Sequence, residues 1–212
     1  MAINGVGNPH ADIVIVGEMP RHYEVKANRP FAGNAGTDLT AMLYEAGLVT
    51  ADCYFTLVMK APTPIALIDS LFYDKVKTRP KEELIRAVID LHAEIKAINP
   101  KVVVACGDLA LYALCGKLSV DAWRGSYLTV NDTDIPCIPT YSPITIQRQW
   151  EYRVFAVRDL TRVKGILDNP QSAIEPPKNF LLAPSFPEVE AYLSGMLATL
   201  DNATDTVPIV VD

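Results

Sequence analysis

Short apolar runs alternate with longer stretches of helical periodicity along this chain. Asp12 to Val16 is an uninterrupted run rich in β-branched residues, the pattern of a strand covered on both faces. Cys53 to Val58, Lys101 to Ala105 and Ile135 to Pro139 read the same way. Between them lie helical patterns. One opens at Thr37 or Asp38, runs through LTAMLYEA and stops at Gly47, which suits a glycine just past a helix end. A second follows Pro80, with Glu82 and Glu83 in its first turn, an apolar stripe of Leu84, Val88, Leu91, Ile95 and Ile98, and a stop at Asn99-Pro100. A short helix follows Cys106-Gly107-Asp108 through Leu114, and a long one covers about Trp150 to Leu167. Strands alternating with helices predict an α/β fold: three αβα layers around a central four-stranded, mainly parallel sheet.

Three segments fall outside this rhythm. Residues 1–11, with Gly5, Gly7 and Pro9, read as an irregular lead-in. Gly17 to Gly36 is a polar loop punctuated by glycine and proline at the carboxyl end of the first strand, where open α/β sheets bind ligands. Residues 62–79 form a long connection with an aromatic patch, Leu71-Phe72-Tyr73, that does not read as core. Its Lys75, Lys77 and Arg79 suit a loop facing an anionic partner, although a solvated basic loop is the commoner explanation for three such charges. Near the end of the chain, 169–178 holds three prolines in ten residues and reads as a linker. The expected organisation is therefore a domain at 1–168, a linker at 169–178 and an extension at 179–212. The extension holds a helix with Val189, Tyr192, Leu193, Met196, Leu197 and Leu200 on one stripe, then a strand from Pro208 to Asp212.

Composition narrows the class. Half the residues are hydrophobic, yet no apolar run approaches the ~20 residues of a membrane span, so a soluble protein without a membrane partner is expected. Neither a basic n-region nor an apolar h-region opens the chain, and Cys53, Cys106, Cys115 and Cys137 show no CxxC spacing. Reduced, buried thiols in a cytoplasmic protein are the expectation. A net charge of −6 argues against strong non-specific nucleic-acid binding. The acidity lies in the tail: residues 1–168 hold 18 Lys+Arg against 19 Asp+Glu, which leaves room for a local basic groove.

The first loop carries a recognisable string. Gly17, Glu18, Pro20, Glu24, Pro30, Phe31, Gly33, Ala35 and Gly36 fall in register with a motif reading roughly GEAPGxxEDxxGxPFxGxAG. The chain thereby resembles the uracil-DNA glycosylase superfamily, in its bacterial and phage-type (family 4-like) branch. TLVMKAP lies where the family has a TNxxKCxP-type motif. Lys101 to Ala110 matches a PKxIVALGxxA block, and Trp123-Arg124-Gly125 resembles the RG step before a small hairpin. YSPITIQRQ stands where the family has an HPxxxLR loop, and the likeness spans about Asp12 to Asp168.

The resemblance implies a pocket for a flipped base. By it, Glu18 and Glu24 orient water or stabilise positive charge, Phe31 stacks on the base, and Lys60, Arg124 and Arg148 contact DNA. Two family functions are missing. The base-reading Asn falls at Leu57, which offers no donor or acceptor, and the His falls at Ser142, which is neutral and cannot stand in for an imidazole. An iron–sulfur cluster, present in some relatives, is expected to be absent. Its N-terminal cysteine pair is missing, and Ala61 and about Ala87 stand at its other ligand positions.

Residues PSFPEVEAYL and the terminal IVVD resemble the opening of the 3′–5′ exonuclease domain of family A DNA polymerases, with a C-terminal helix and strand docked on the first domain as the alternative. The expected function is a glycosylase-like module of a phage-type DNA polymerase, partnered by DNA and by the exonuclease and polymerase domains of the same chain, in the host cytoplasm if phage-encoded. The alternative is an active glycosylase removing uracil or another deaminated base. An unrelated nucleotide-binding protein is disfavoured, because neither GxGxxG nor GxxxxGK[ST] occurs.

Overall fold

The computed structural model describes residues 2–62, 68–173 and 185–201. The chain divides into two units, residues 1–175 and 176–212.

In the first unit the buried runs form the middle of a six-stranded sheet of order β1-β3-β2-β4-β6-β5. The strands are β1 (Val6–Gly7), β2 (Ile13–Gly17), β3 (Cys53–Leu57), β4 (Val102–Cys106), β5 (Leu128–Thr129) and β6 (Pro136–Thr140). The four inner strands are parallel, in registers such as Ile15 with Phe55, Ile15 with Val104 and Val104 with Ile138. They are the four that the apolar runs predict. Two edge strands are added: β1 pairs antiparallel with β3, inside the segment read as an irregular lead-in, and β5 pairs antiparallel with β6. Each is two residues long, too short for any periodicity to show in sequence.

Side chains alternate across the pleat and fill two cores. Val14, Val16, Val103 and Ala105 face α3 (Glu82–Ile98) and α4 (Asp108–Cys115), meeting Leu84, Leu91, Ile95, Leu109 and Leu111. Ile13, Ile15, Val102, Val104 and Ile138 face α2 (Asn34–Glu45) and α7 (Tyr152–Asp168), meeting Leu39, Met42, Leu43, Leu160 and Val163. The fold is thus a three-layer αβα sandwich.

Three short helices also appear: α1 (His22–Ala27) inside the first loop, α5 (Val120–Trp123) and α6 (Pro143–Arg148). Helix α2 starts at Asn34, four residues earlier than the Thr37 cap predicts, because Gly33 with φ 82° supplies the turn into it. The aromatic patch is a second correction. Leu71 and Phe72 are core residues, Phe72 meeting Tyr112 edge-on at 5.0 Å, and only Tyr73 is exposed. In the same connection Lys77 pairs with Asp69 at 2.9 Å; residues 63–67 lie outside the described residues.

In the second unit, α8 (Phe186–Asp201) carries the predicted stripe, with Val189, Tyr192, Leu193 and Leu197 exposed. The predicted strand Pro208–Asp212, and residues 174–178 of the predicted linker, lie outside the described residues. No helix among the described residues is long and apolar enough to cross a membrane.

Candidate functional site

The carboxyl ends of β2, β3, β4 and β6 meet at one rim of the sheet. Beyond the regular strands the backbone stays zipped: Val58 N–H donates to Gly17 C=O at 2.9 Å, Met59 N–H to Glu18 C=O at 2.9 Å, and Gly107 N–H to Thr140 C=O at 2.9 Å. These bonds hold the residues just past each strand end around a common opening. The cavity there has about 410 Å³ of empty space, part of it open solvent, and Glu18, Glu24, Phe31, Leu57 and Ser142 all line it. Five of the eight residues singled out from sequence therefore converge on one site, with Leu57 and Ser142 on the same cavity as Phe31. The wall is completed by Met19, Arg21, Ala35, Cys106, Pro143 and Ile144. Of these, Cys106 was findable as the residue directly after the predicted strand Lys101 to Ala105; it is the last residue of β4.

Phe31 holds a left-handed backbone, φ 50°, and its ring meets Phe55 edge-on at 5.9 Å. A Cβ on Gly17 would fall 2.8 Å from both the Phe31 and Leu57 side chains, so these two groups close directly over the end of β2. Ser142 is the N-cap of α6. Its Oγ accepts the Thr145 N–H at 3.2 Å and shares a hydrogen bond with the Thr145 hydroxyl at 2.8 Å. Glu24 is buried, and its Oε2 accepts the Arg21 N–H at 3.1 Å, closing the first turn of α1.

Glu18 is the carboxylate best placed for chemistry. Its Oε1 accepts the Leu109 N–H at 3.1 Å, in the first turn of α4. Burial raises its pKa above the ordinary glutamate value; the Asp108 charge adds to this, and the Leu109 N–H and Arg21 oppose it. Gly107 makes the position possible. With φ 102° it adopts a backbone nearly closed to other residues, and a Cβ there would lie 2.6 Å from the Glu18 carboxyl carbon. On its other side Glu18 borders a polar groove with Asp108, Asp121, Tyr141 and Ser142. There the Tyr141 hydroxyl donates to Asp121 at 2.6 Å, and burial foremost pushes its pKa up to about 12.

The remaining three predicted residues stand elsewhere. Lys60 folds back along β3: its ammonium pairs with Glu94 at 2.6 Å and contacts the Thr56 hydroxyl, while the Tyr54 hydroxyl donates to the same Glu94 at 2.9 Å. Arg124 is bound to buried Asp159, Nε to Oδ2 at 3.0 Å and Nη2 to Oδ1 at 2.9 Å. Arg148 is exposed at the end of α6. None of the three lines the cavity.

The family model of the uracil DNA glycosylase superfamily matches residues 4–161. The chain belongs to the uracil DNA glycosylase superfamily. It is similar to a type-4 uracil-DNA glycosylase of Thermotoga maritima, 33% identical over 171 residues that cover 77% of this chain and 81% of that protein. A type-4 uracil-DNA glycosylase of Sulfurisphaera tokodaii is 30% identical over 179 residues, covering 80% of this chain and 76% of that protein. A DNA polymerase of Bacillus phage SP01 is 27% identical over 180 residues, covering 84% of this chain; the chain spans only 18% of that polymerase.

Some members of the superfamily hold an iron–sulfur cluster, which requires four converging thiolates. The cysteines here do not fit one. Cys53 opens β3, Cys106 ends β4, Cys115 ends α4 and Cys137 lies within β6; all four are free and buried. Burial, aided by the neighbouring Asp52 charge, pushes the Cys53 thiol up to about 12, and burial likewise raises Cys106, so both disfavour the ligating thiolate. Among the described residues no three His, Cys, Asp or Glu side chains come together to hold a metal ion.

Proposed function

We propose that this chain is a superfamily domain whose base pocket has lost the groups that read and expel uracil, and that it serves as a DNA-binding or structural module of a phage-type DNA polymerase. One observation carries the reading. Phe31, Leu57 and Ser142 share a cavity, with an aliphatic side chain where the family pattern has its Asn and a serine where it has its His. Leu57 presents no hydrogen-bonding group to a base edge, and discrimination of that kind is typically worth ~1–3 kcal/mol per bidentate pair. The Ser142 hydroxyl is engaged in capping α6, and in either state it brings no positive charge to a departing base. Phe31 still offers a stacking face. Alignment of 84% of this chain with 18% of a phage DNA polymerase is the proportion of one domain in a longer replication protein, and the names of the glycosylase relatives point to DNA as the ligand.

A second reading, an active glycosylase for uracil or another deaminated base, is favoured by Glu18. Its carboxyl sits on the cavity wall with a raised pKa, suited to proton transfer or to orienting a water. The assay is base release from a uracil-containing single-stranded oligonucleotide, with Glu18→Gln and Glu24→Gln as controls and binding of the same strand measured in parallel. The module reading expects binding without release, and expects the double substitution Leu57→Asn with Ser142→His to raise release above the parent. Robust release by the parent chain, abolished by Glu18→Gln, would sink it in favour of the second reading.

A further inference from the structure

The mouth of a second cleft opens between α7 and the turn that follows α5. Arg124, Tyr127, Phe155, Arg158, Asp159 and Arg162 line it, enclosing about 710 Å³ of empty space, part of it open solvent. Phe155, Arg158 and Arg162 lie at positions i, i+3 and i+7 of α7 and so share one stripe of that helix. Three guanidinium groups face one carboxylate, and that carboxylate is already bonded twice to Arg124. Arg158 and Arg162 therefore leave the cleft with a surplus of two positive charges. Among the described residues neither has a carboxylate at ion-pair distance.

Arg162 is the informative group. Among the described residues its Nη1 is buried without a hydrogen-bond partner, and its Nη2 donates only to the Ser126 carbonyl, at 3.5 Å. A guanidinium carries five donors, and a buried charged donor is stabilised by an incoming acceptor. The cleft also offers aromatic surface beside that charge. Tyr127 and Phe155 are 41% and 44% exposed, with Arg162 standing 5.6 Å from the Tyr127 ring centre and Arg124 4.9 Å from that of Phe155. Paired guanidinium groups flanked by exposed rings match a chain of phosphates with unpaired bases, since a duplex keeps its base faces stacked inside. The groove bordering the base pocket, with Glu18, Asp108 and Asp121, repels phosphate, so backbone charge is drawn to the arginine cleft instead. Arg124 lies 5.0 Å from the ring centre of Tyr141, and Tyr141 precedes Ser142 of the pocket, so cleft and pocket are close neighbours on one domain.

We infer that the Arg158–Arg162 cleft is a single-stranded DNA site that holds a backbone phosphate between the two guanidinium groups and stacks an adjacent base on Tyr127. The inference rests on the DNA-binding reading above and deepens it. The test is fluorescence anisotropy of a labelled oligothymidylate titrated with the full chain across a salt series, using the parent, Arg158→Gln, Arg162→Gln, the double variant, Tyr127→Ala and Phe31→Ala. The double variant should bind about tenfold more weakly at low salt, and the slope of log affinity against log salt should fall by about 0.7 for each phosphate contact removed. Tyr127→Ala should weaken binding with the slope unchanged, and a duplex of equal length should compete poorly. Exposed Arg158 keeps the test valid should Arg162→Gln perturb folding, which a thermal melt detects. Parent-like binding and slope in Arg158→Gln and the double variant would overturn the cleft while leaving the DNA reading intact, most clearly if Phe31→Ala binds worse. Equal binding of duplex, insensitive to Tyr127→Ala, would overturn the single-strand assignment. A parent chain that binds neither oligonucleotide at low salt would remove the DNA reading and this site with it.

Discussion

Replacing Arg124 with methionine keeps most of the aliphatic bulk and removes the charge that faces Asp159. Three hydrogen bonds are lost: two to the Asp159 carboxylate, at 3.0 and 2.9 Å, and one to the Phe155 carbonyl at 3.1 Å. The guanidinium is also lost from its place 5.0 Å from the Tyr141 ring centre and 4.9 Å from that of Phe155. Asp159 is 3% exposed, so its carboxylate cannot recover the lost partners from water. Breaking a buried ion pair by removing one member typically costs about 3–5 kcal/mol. Here the Arg124 side chain is 17% exposed and Arg162 also acts on Asp159, so the expected loss is nearer about 2–3 kcal/mol. At about 2–4 °C per kcal/mol for a chain of this size, the melting temperature should fall by about 4–12 °C. The loss should also depend on pH. Burial already raises the Asp159 pKa, against the pull of Arg124, and deleting Arg124 raises it further. A raised carboxyl pKa leaves full stability only below the ordinary aspartate range, with loss as pH climbs through the folded value, so the gap between variant and parent should narrow from pH 7 to pH 5. Urea denaturation followed by circular dichroism at both pH values measures this, and Asp159→Asn added to the variant should recover much of the loss. A variant within about 0.5 kcal/mol of the parent at pH 7, or a gap that does not change with pH, would refute the account of Arg124 as a structural arginine.

Gly107→Ala should destabilise by about 1–3 kcal/mol through its φ of 102° alone, and by more while the new methyl group strikes the Glu18 carboxyl. Adding Glu18→Ala should recover only the second part, and equal stability of Gly107→Ala and parent in urea would contradict the geometry. Glu18→Gln tests the raised pKa of that carboxyl. The parent should be most stable, relative to the variant, below the ordinary glutamate range, and should lose that advantage as pH rises through the elevated folded value. Parallel stability profiles for parent and Glu18→Gln across that range would refute it.

How far the sequence reaches depends on the distance over which each feature is determined. The inner strands were legible because burial on both faces writes itself as contiguous runs such as IVIV and VVVA. The convergence of Glu18, Phe31, Leu57 and Ser142 was legible for a related reason: parallel strands bring their carboxyl ends to one rim, so residues just after them meet. Helix α6 carried a local signal, a serine N-cap followed by proline at the first helical position, and was readable in principle from Ser142-Pro143. The edge strands were not, since two residues cannot display a period.

Charged side chains lie at the other extreme. Lys60 and Arg124 both looked like DNA contacts, yet their carboxylates are Glu94 and Asp159, 34 and 35 residues away in sequence. Periodicity does not encode a pairing across such a separation. It also fails to mark which arginines stay unpaired. Arg124, Arg153, Arg158 and Arg162 lie within one stretch, but Arg124 is bound to Asp159 and Arg153 pairs with Glu45 at 2.6 Å. Arg158 and Arg162 are left facing a cleft whose one carboxylate is already taken. The positive charge available to an anionic strand is therefore decided by internal pairing, which is why a chain of net charge −6 can still present a cationic surface.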